Sequence, residues 1–329
     1  MSADGDILVS ICCIVYNQGK FVGQTLEGFV SQKTNFRYEV LINDDCSTDN
    51  SADVIKGYAA KYPDIIKPIY HTENQYSKGV SVGYANNFNR VRGKYIAMCE
   101  GDDYWIDSGK LQMQVDFLES HPEYSLTYTD YKYYVQEEGR FYANTYDRHS
   151  FENPTFRQHL IHTMYLAPCT WMFRAKDLPI LKKHYDDETY RMMLYFMSEH
   201  KIKYIDKVTA VYRILKQSAS HTVGLSKKYN FLKGLIDTQN ECMELYNANK
   251  DLVTEVHYHM YNRIFKLALA VGDYQYIELM RKFWECNRCR NSSDRIYYIC
   301  SHFPHVLHSV FHVLYSVKYF FKRILGIQR

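Results

Sequence analysis

The period of apolar positions changes along this chain, and the changes divide it. Leu8–Tyr16 is a continuous apolar run, as a strand buried on both faces requires. Phe21, Val22, Thr25, Leu26, Phe29 and Val30 then recur at helical spacing. Tyr38–Asn43 reads as a second strand, and Asp49 or Ser51 caps a helix that Pro63 ends. The same reading gives strands at Ile65–Tyr70, Tyr95–Cys99 and Ser125–Tyr133, with helices at Gly83–Arg92 and Lys110–Leu118. Strands alternating with helices predict an α/β domain with a mainly parallel sheet. In such sheets ligands lie beyond the carboxyl ends of the strands.

The middle of the chain is less regular, with strands expected at Thr170–Phe173 and Ile202–Arg213 and a helix at Thr189–Glu199. From Ser226 the pattern is helical throughout: Tyr229, Leu232, Ile236, Met243 and Tyr246 share one face, and Val253–Val271 and Tyr274–Trp284 form two more helices. The expected domains are therefore 1–225 and a carboxyl-terminal helical region, 226–329. In Phe303–Leu325 an apolar stripe (Val306, Val310, Val313, Leu314, Val317, Phe320, Phe321, Ile324) opposes a more polar side marked by His305, His308, His312 and Lys322. Polar interruptions make it a poor spanning helix. It fits an amphipathic helix in a membrane interface, with Lys318, Lys322, Arg323 and Arg329 reaching anionic headgroups. The alternatives are packing on the protein itself or on a partner chain, which would make 226–329 an oligomerisation module.

Charge sharpens that picture. The net charge of +3 is too small to argue for nucleic acid, yet Arg290–Arg329 holds six Lys/Arg against one Asp. With 329 residues, 46% of them apolar, a core forms without disulfide staples. Three of the nine cysteines, Cys12, Cys13 and Cys99, fall in buried strands, which fits reduced thiols. Cys286 and Cys289 form a lone C-x-x-C with no second pair to complete a zinc site. No basic start followed by an apolar stretch marks a signal peptide, so the expected location is cytoplasmic, peripheral at the inner face of the cell membrane. The 32 tyrosines offer ring and hydroxyl for binding surfaces, or are a compositional bias alone.

Candidate chemistry lies in two acidic clusters at strand ends: Asn43-Asp44-Asp45-Cys46-Ser47-Thr48-Asp49, and Glu100-Gly101-Asp102-Asp103-Tyr104-Trp105. Clustered carboxylates repel one another, and a divalent cation such as Mg²⁺ or Mn²⁺ relieves the repulsion while binding substrate phosphates. A carboxylate also accepts N–H or ribose O–H hydrogen bonds from a nucleotide. Turn and cap roles are the alternative, and they suit Ser47 and Asp49 best. Gly79, Gly83 and Gly93 form no phosphate-loop pattern, and the i, i+4 pair His308 and His312 is a weak metal motif.

These two clusters, together with Ser10-Ile11-Cys12-Cys13-Ile14-Val15-Tyr16-Asn17, resemble glycosyltransferase family 2 of the bacterial surface-polysaccharide type over residues 7–135. A weaker echo follows at Ile205–Arg213. The resemblance implies a GT-A fold, a Rossmann-like sandwich for a nucleotide-diphosphate sugar, with a UDP-sugar as first expectation. It implies that Ile14, Tyr16, Asn17, Asp44, Asp45 and Asp102 line the nucleotide site, with Asp45 on the base. Asp102 and Asp103 would be the D-x-D equivalent, with Asp103 as the leading metal ligand. Glu100 stands where the family often has Asp. The resemblance further implies inverting transfer to a hydroxyl of a saccharide or lipid-linked saccharide. A carboxylate base is expected near Tyr185-Asp186-Asp187-Glu188, with Glu188 and Asp187 both open and a helix-start role for these acids as the alternative. Arg213 and Lys216 are candidates to face the diphosphate. A sugar nucleotidyltransferase and an inactive nucleotide-binding scaffold are the competing readings.

Overall fold

The computed structural model describes residues 6–325 except 82–85, 146, 164–165, 181–184, 186, 216–223, 288 and 290, with side chains as far as Ser316. It forms two compact units, one of Met1–Phe156 with Met164–Ile214, the other of Arg157–Thr163 with Leu215–Arg329.

The first unit runs β1 (Ile7–Val15), α1 (Val22–Val30), β2 (Arg37–Asp44), α2 (Ser51–Lys61), β3 (Ile66–Tyr70), β4 (Tyr95–Met98), β5 (Tyr104–Trp105), α3 (Lys110–Ser120), β6 (Tyr124–Val135), β7 (Arg140–Ala143) and α4 (Arg148–Glu152). After α5 (Phe156–His162) come β8 (Met172–Arg174), α6 (Glu188–Glu199) and β9 (Lys201–Ile214). Among the described residues these strands make one sheet in the order β3-β2-β1-β4-β8-β6-β9-β5, with β7 on β6.

Strand β1 lies between β2 and β4, so both its edges are paired, and Val9, Ile11 and Cys13 are fully buried. Its one polar residue, Ser10, donates to Glu39 Oε1 at 2.7 Å and accepts from Gly93 N at 3.0 Å. A Cβ on Gly93 would stand 2.6 Å from Ser10 N, so glycine is required where the chain enters β4.

The first four strands are parallel, as the apolar runs predicted. Beyond β4 the sheet is mixed: β8 runs antiparallel to β4 and β6, β5 to β9, and β7 to β6, while β6 and β9 are parallel. The expected strand at Thr170–Phe173 begins late, because Pro168–Thr170 closes a 3₁₀ turn that proline starts. Of the helix expected at Gly83–Arg92, residues 82–85 lie outside the described residues, and Phe88–Arg90 is a single 3₁₀ turn.

The second unit contains α7 (Leu225–Leu245), α8 (Lys250–Val271), α9 (Tyr274–Cys286), α10 (Ser292–Ser301) and α11 (Pro304–Leu325). Its helix ends are well specified. Asn249 caps α8, Gly272 closes it at φ +78°, Asp273 caps α9, and Asn291 with Asp294 forms a capping box on α10. The division falls at residue 214 and not at 225, and the second unit also takes in 157–163. Gln239 Nε2 donates to Leu160 O, and Arg157 pairs with Glu255. All nine cysteines are free thiols.

Candidate active site

The carboxyl ends of β1, β2 and β4 open side by side, and each continues into a loop of the predicted motifs. The first two loops are stitched together. Asn17, at φ +53°, accepts from Thr48 N at 2.7 Å through its side-chain oxygen, and its own N donates to Ser47 Oγ at 2.9 Å. Asp49 accepts from Gly19 N and Ser51 N, both at 2.9 Å. Asn17, expected in the nucleotide pocket, thus holds loop to loop. Tyr16 is half exposed beside it, and Ile14 O accepts from Gly101 N at 3.0 Å, tying β1 to the acidic loop after β4.

The two aspartates ending β2 separate in role. Asp45 is buried, and its carboxylate accepts from Gln75 N at 2.7 Å and Tyr76 N at 3.0 Å. It anchors the turn that follows β3, and each of its oxygens keeps a second lone pair. Asp44 Oδ2 receives only a long 3.4 Å contact from Ser47 N, and its Oδ1 is buried with no partner among the described residues. His71, whose N donates to Asp44 O at 2.9 Å, likewise has a buried, unpartnered Nε2. An unpaired buried acceptor costs about 1–3 kcal/mol. A ligand that donates here recovers that cost.

The loop Glu100-Gly101-Asp102-Asp103 is clamped from three sides. A Cβ on Gly101 would sit 2.7 Å from Val15 Cγ2 and 2.5 Å from Gln18 Oε1. Thr25 Oγ1, on α1, lies 2.9 Å from Gly101 O and 2.6 Å from Asp103 O, both acceptors for its hydroxyl. Arg213, near the end of β9, donates Nε to Asp102 O at 2.8 Å, and its N donates to Asp103 Oδ1 at 2.8 Å. Its other nitrogens donate to Gln24 and Gln136, and its guanidinium stacks 4.7 Å from the Phe21 ring. Arg213 was expected to face a diphosphate. It is buried, and its donors bind protein, so it holds the acidic loop. Lys216 lies outside the described residues.

Asp103 is the residue expected as the leading metal ligand. Its carboxyl is buried, faces inward to Arg213 N and the Cys169 thiol, and is held well above the usual carboxylate range by desolvation and by Asp102 and Glu100. Beneath it Trp105 Nε1 donates to Cys169 O at 2.7 Å, and the buried Lys110 ammonium lies 4.6 Å from the Trp105 ring. The Tyr-Trp that follows the aspartates is thus a floor for the motif. Asp102 is only half buried and takes a hydrogen bond from the Gln18 side chain. Desolvation pushes it up to about 6, against the pull of Arg213. Glu100 is exposed just beyond β4. The protein atoms that displace its hydration, and the charges of Asp102 and Asp187, push it up to about 8.

The repulsion felt by Glu100 also brings the predicted base region to this cluster, since Asp187 contributes to it. Asp187 caps α6, accepting from Tyr190 N at 2.9 Å and Thr189 Oγ1 at 2.8 Å through Oδ1. Glu188 accepts from Ser81 Oγ at 2.7 Å. Asp186 lies outside the described residues. Gln18, Thr25 and Cys169 were not legible as site residues. Thr25 carried only a helical core position, and the other two carried no pattern.

Among the described residues no three His, Cys, Asp or Glu side chains form a closed metal cage. A divalent cation can also be held by one or two carboxylates and completed by phosphate oxygens. Glu100 and Asp102 fit such a group: both are hard oxygen donors, both have raised proton affinity, and both are reachable by solvent.

A family model described as glycosyl transferase family 2 matches residues 10–179. The UDP-Glc:alpha-D-GlcNAc-diphosphoundecaprenol beta-1,3-glucosyltransferase WfaP of Escherichia coli is 32% identical over 131 residues, 40% of this chain and 48% of that protein. Curated relatives reach 44% identity, but the matched segment spans only about a third of the length of the first of them, 32%. Residues 1–349 of TarS from S. aureus, solved in complex with UDP-GlcNAc, superpose with a TM-score of 0.59 at 15% identity, covering 93% of this chain and 89% of that one. The mannosyltransferase PcManGT from Pyrobaculum calidifontis, in complex with GDP-Man and Mn²⁺, gives a TM-score of 0.55 at 13% identity, covering 94% and 88%. At such identities the structural matches speak for the fold, which is GT-A.

Proposed function

Because the chain belongs to glycosyl transferase family 2, whose model covers just over half of its length, we propose that it transfers a sugar from a UDP-sugar to a saccharide hydroxyl, with inversion. The acceptor class is a saccharide on a lipid diphosphate, the class named for WfaP. The observation that carries this reading is the convergence of Glu100, Asp102 and Asp187 beyond the carboxyl end of β4, where the latter two lie close enough to raise the proton affinity of Glu100.

In this reading Asp44 accepts from the base through its orphaned Oδ1. Asp102 and Glu100 hold the divalent cation. Asp103 and Arg213 fix the loop from behind. A cation bound there supplies Lewis-acid stabilisation to the departing diphosphate. Asp187 takes the acceptor proton as the hydroxyl oxygen forms its bond to the anomeric carbon. The bond from that carbon to the diphosphate oxygen breaks on the opposite face, through an oxocarbenium-like transition state. The helix cap locks Asp187 in one orientation, and this favours it over Glu188, which is engaged by Ser81. Most of the work is placement of two reactants.

The test is release of nucleoside diphosphate from UDP-, GDP- and dTDP-sugars with Mn²⁺ or Mg²⁺. Metal-dependent UDP release, reduced on the order of 10²-fold or more in Asp102→Ala, is the expected result. Formation of UTP and sugar 1-phosphate from the UDP-sugar when pyrophosphate is supplied would instead make the protein a nucleotidyltransferase. Intact nucleotide binding without turnover, with acceptor saccharide supplied, would make it a scaffold.

A further inference from the structure

Helix α11 packs by one side only, on which Leu307, His308, Phe311 and Tyr315 are partly covered. A helix on a globular protein normally turns its apolar stripe to the core. Here two histidines add hydrogen bonds to α8 at the edge of the covered side, although His312 is itself exposed. His308 Nδ1 donates to Leu269 O at 2.7 Å, and His312 Nδ1 donates to Ala270 O at 3.0 Å. A carbonyl can only accept, so both protons are on Nδ1. These carbonyls belong to the last turn of α8, where the dipole is negative, and Leu269 O also accepts from Gly272 N at 3.2 Å. The His305 ring lies 4.0 Å from that of Tyr274. Gly272, in the left-handed conformation that ends α8, leaves room for His308, whose Cε1 is 3.3 Å from where a Cβ would stand.

The opposite face is left to solvent. Val306 is 71% exposed, Val310 52%, Val313 58% and Leu314 59%. No Asp, Glu, Lys or Arg falls between Arg295 and Lys318. The alternating three- and four-residue step of 306, 310 and 313 continues in the sequence through Val317, Phe320 and Ile324. An exposed stripe of this kind marks a surface that something covers. The sequence around it indicates what. After Asp294 there is no acidic residue, whereas Lys318, Lys322, Arg323 and Arg329 follow the stripe directly. An aliphatic face ending in a basic cluster complements hydrocarbon bordered by anionic headgroups. A second copy in parallel register would set this basic cluster against itself. Among the described residues no helix is long and apolar enough to cross a membrane.

We propose that the outer face of α11 docks on an anionic lipid surface, lying in the interface with its histidine edge bolted to the end of α8. This inference does not depend on the reaction assigned above. The test is co-sedimentation of the full chain with phosphatidylcholine vesicles, with and without phosphatidylglycerol. The comparison is a variant carrying both Val310→Asp and Val313→Asp, positions exposed enough to leave the fold intact. A second variant carries Lys318→Gln, Lys322→Gln and Arg323→Gln. The expected result is binding about tenfold or more tighter to phosphatidylglycerol vesicles, lost by about tenfold or more in the valine variant, with the lipid preference lost in the basic variant. Equal binding by wild type and valine variant, or none by either, would overturn the proposal. So would a dimer in light scattering that the valine substitutions split while wild type ignores vesicles; the occupant would then be a second copy.

Discussion

Asp44 and Asp45 are adjacent, chemically identical and both buried, and their hydrogen bonds alone separate them. Asp45 spends its carboxylate on two backbone N–H groups, while Asp44 keeps a buried oxygen without a donor. Their alanine variants should therefore fail differently. Asp45→Ala strands two N–H groups and should lower stability by about 1–3 kcal/mol. Asp44→Ala removes an unsatisfied acceptor, so stability should hold or rise while UDP affinity falls by about tenfold. Thermal melts and isothermal titration with UDP separate the two. If UDP affinity falls only in the Asp45 variant, the base-reading role returns to Asp45. The sequence showed that carboxylates gather here. It did not show which was occupied, because the donors lie some thirty residues on, in a turn without a motif.

At the scale of elements, the acidic loop after β4 is positioned by α1 and β9, which meet it only in the fold. Thr25 and Arg213 sit 76 and 111 residues from the atoms they hold. The elements themselves were legible because their period is local: the parallel run β1–β4 follows from continuous apolar segments. The antiparallel second half follows from pairings that no local period encodes. Helix α6 offers a clean separation of cap from base. Serine caps a helix about as well as aspartate, so Asp187→Ser should keep the melting temperature while transfer falls by about 10²–10⁴-fold. Glu188→Gln should cost less than about tenfold. The reverse order of effects would make Glu188 the base.

For the whole molecule, the site acts on stability through protons. Glu100 is raised to about 8 from 4.5 and Asp102 to about 6 from 3.8, so the folded chain holds these protons more tightly than the unfolded one. Their contribution is fully present below the unfolded values and is lost as pH rises through the folded ones. Buried His159, pushed down to about 3 from 6.5, acts in the opposite sense over part of that range. The bare pH profile is therefore mixed, and the increment from added metal isolates the site. Mn²⁺ should raise the melting temperature more near about pH 8 than near about pH 6, where protons compete for both carboxyls. Glu100→Gln should flatten that difference; an increment independent of pH in the wild type would place the metal elsewhere.

Residues 157–163 belong to the second unit, although 164–214 return to the first. The chain therefore crosses between units three times, and this has a consequence during synthesis. Leu160 and Ile161 leave the ribosome long before α7 and α8, which bury them, have been made. At about 5–20 residues per second, roughly 100 residues of delay leave this apolar turn uncovered for about 5–20 s. Meanwhile the first unit completes itself on either side of it. The nascent protein thus carries a temporary sticky loop on a finished sheet, and a chaperone that holds it until α8 appears would raise the yield of folded chain.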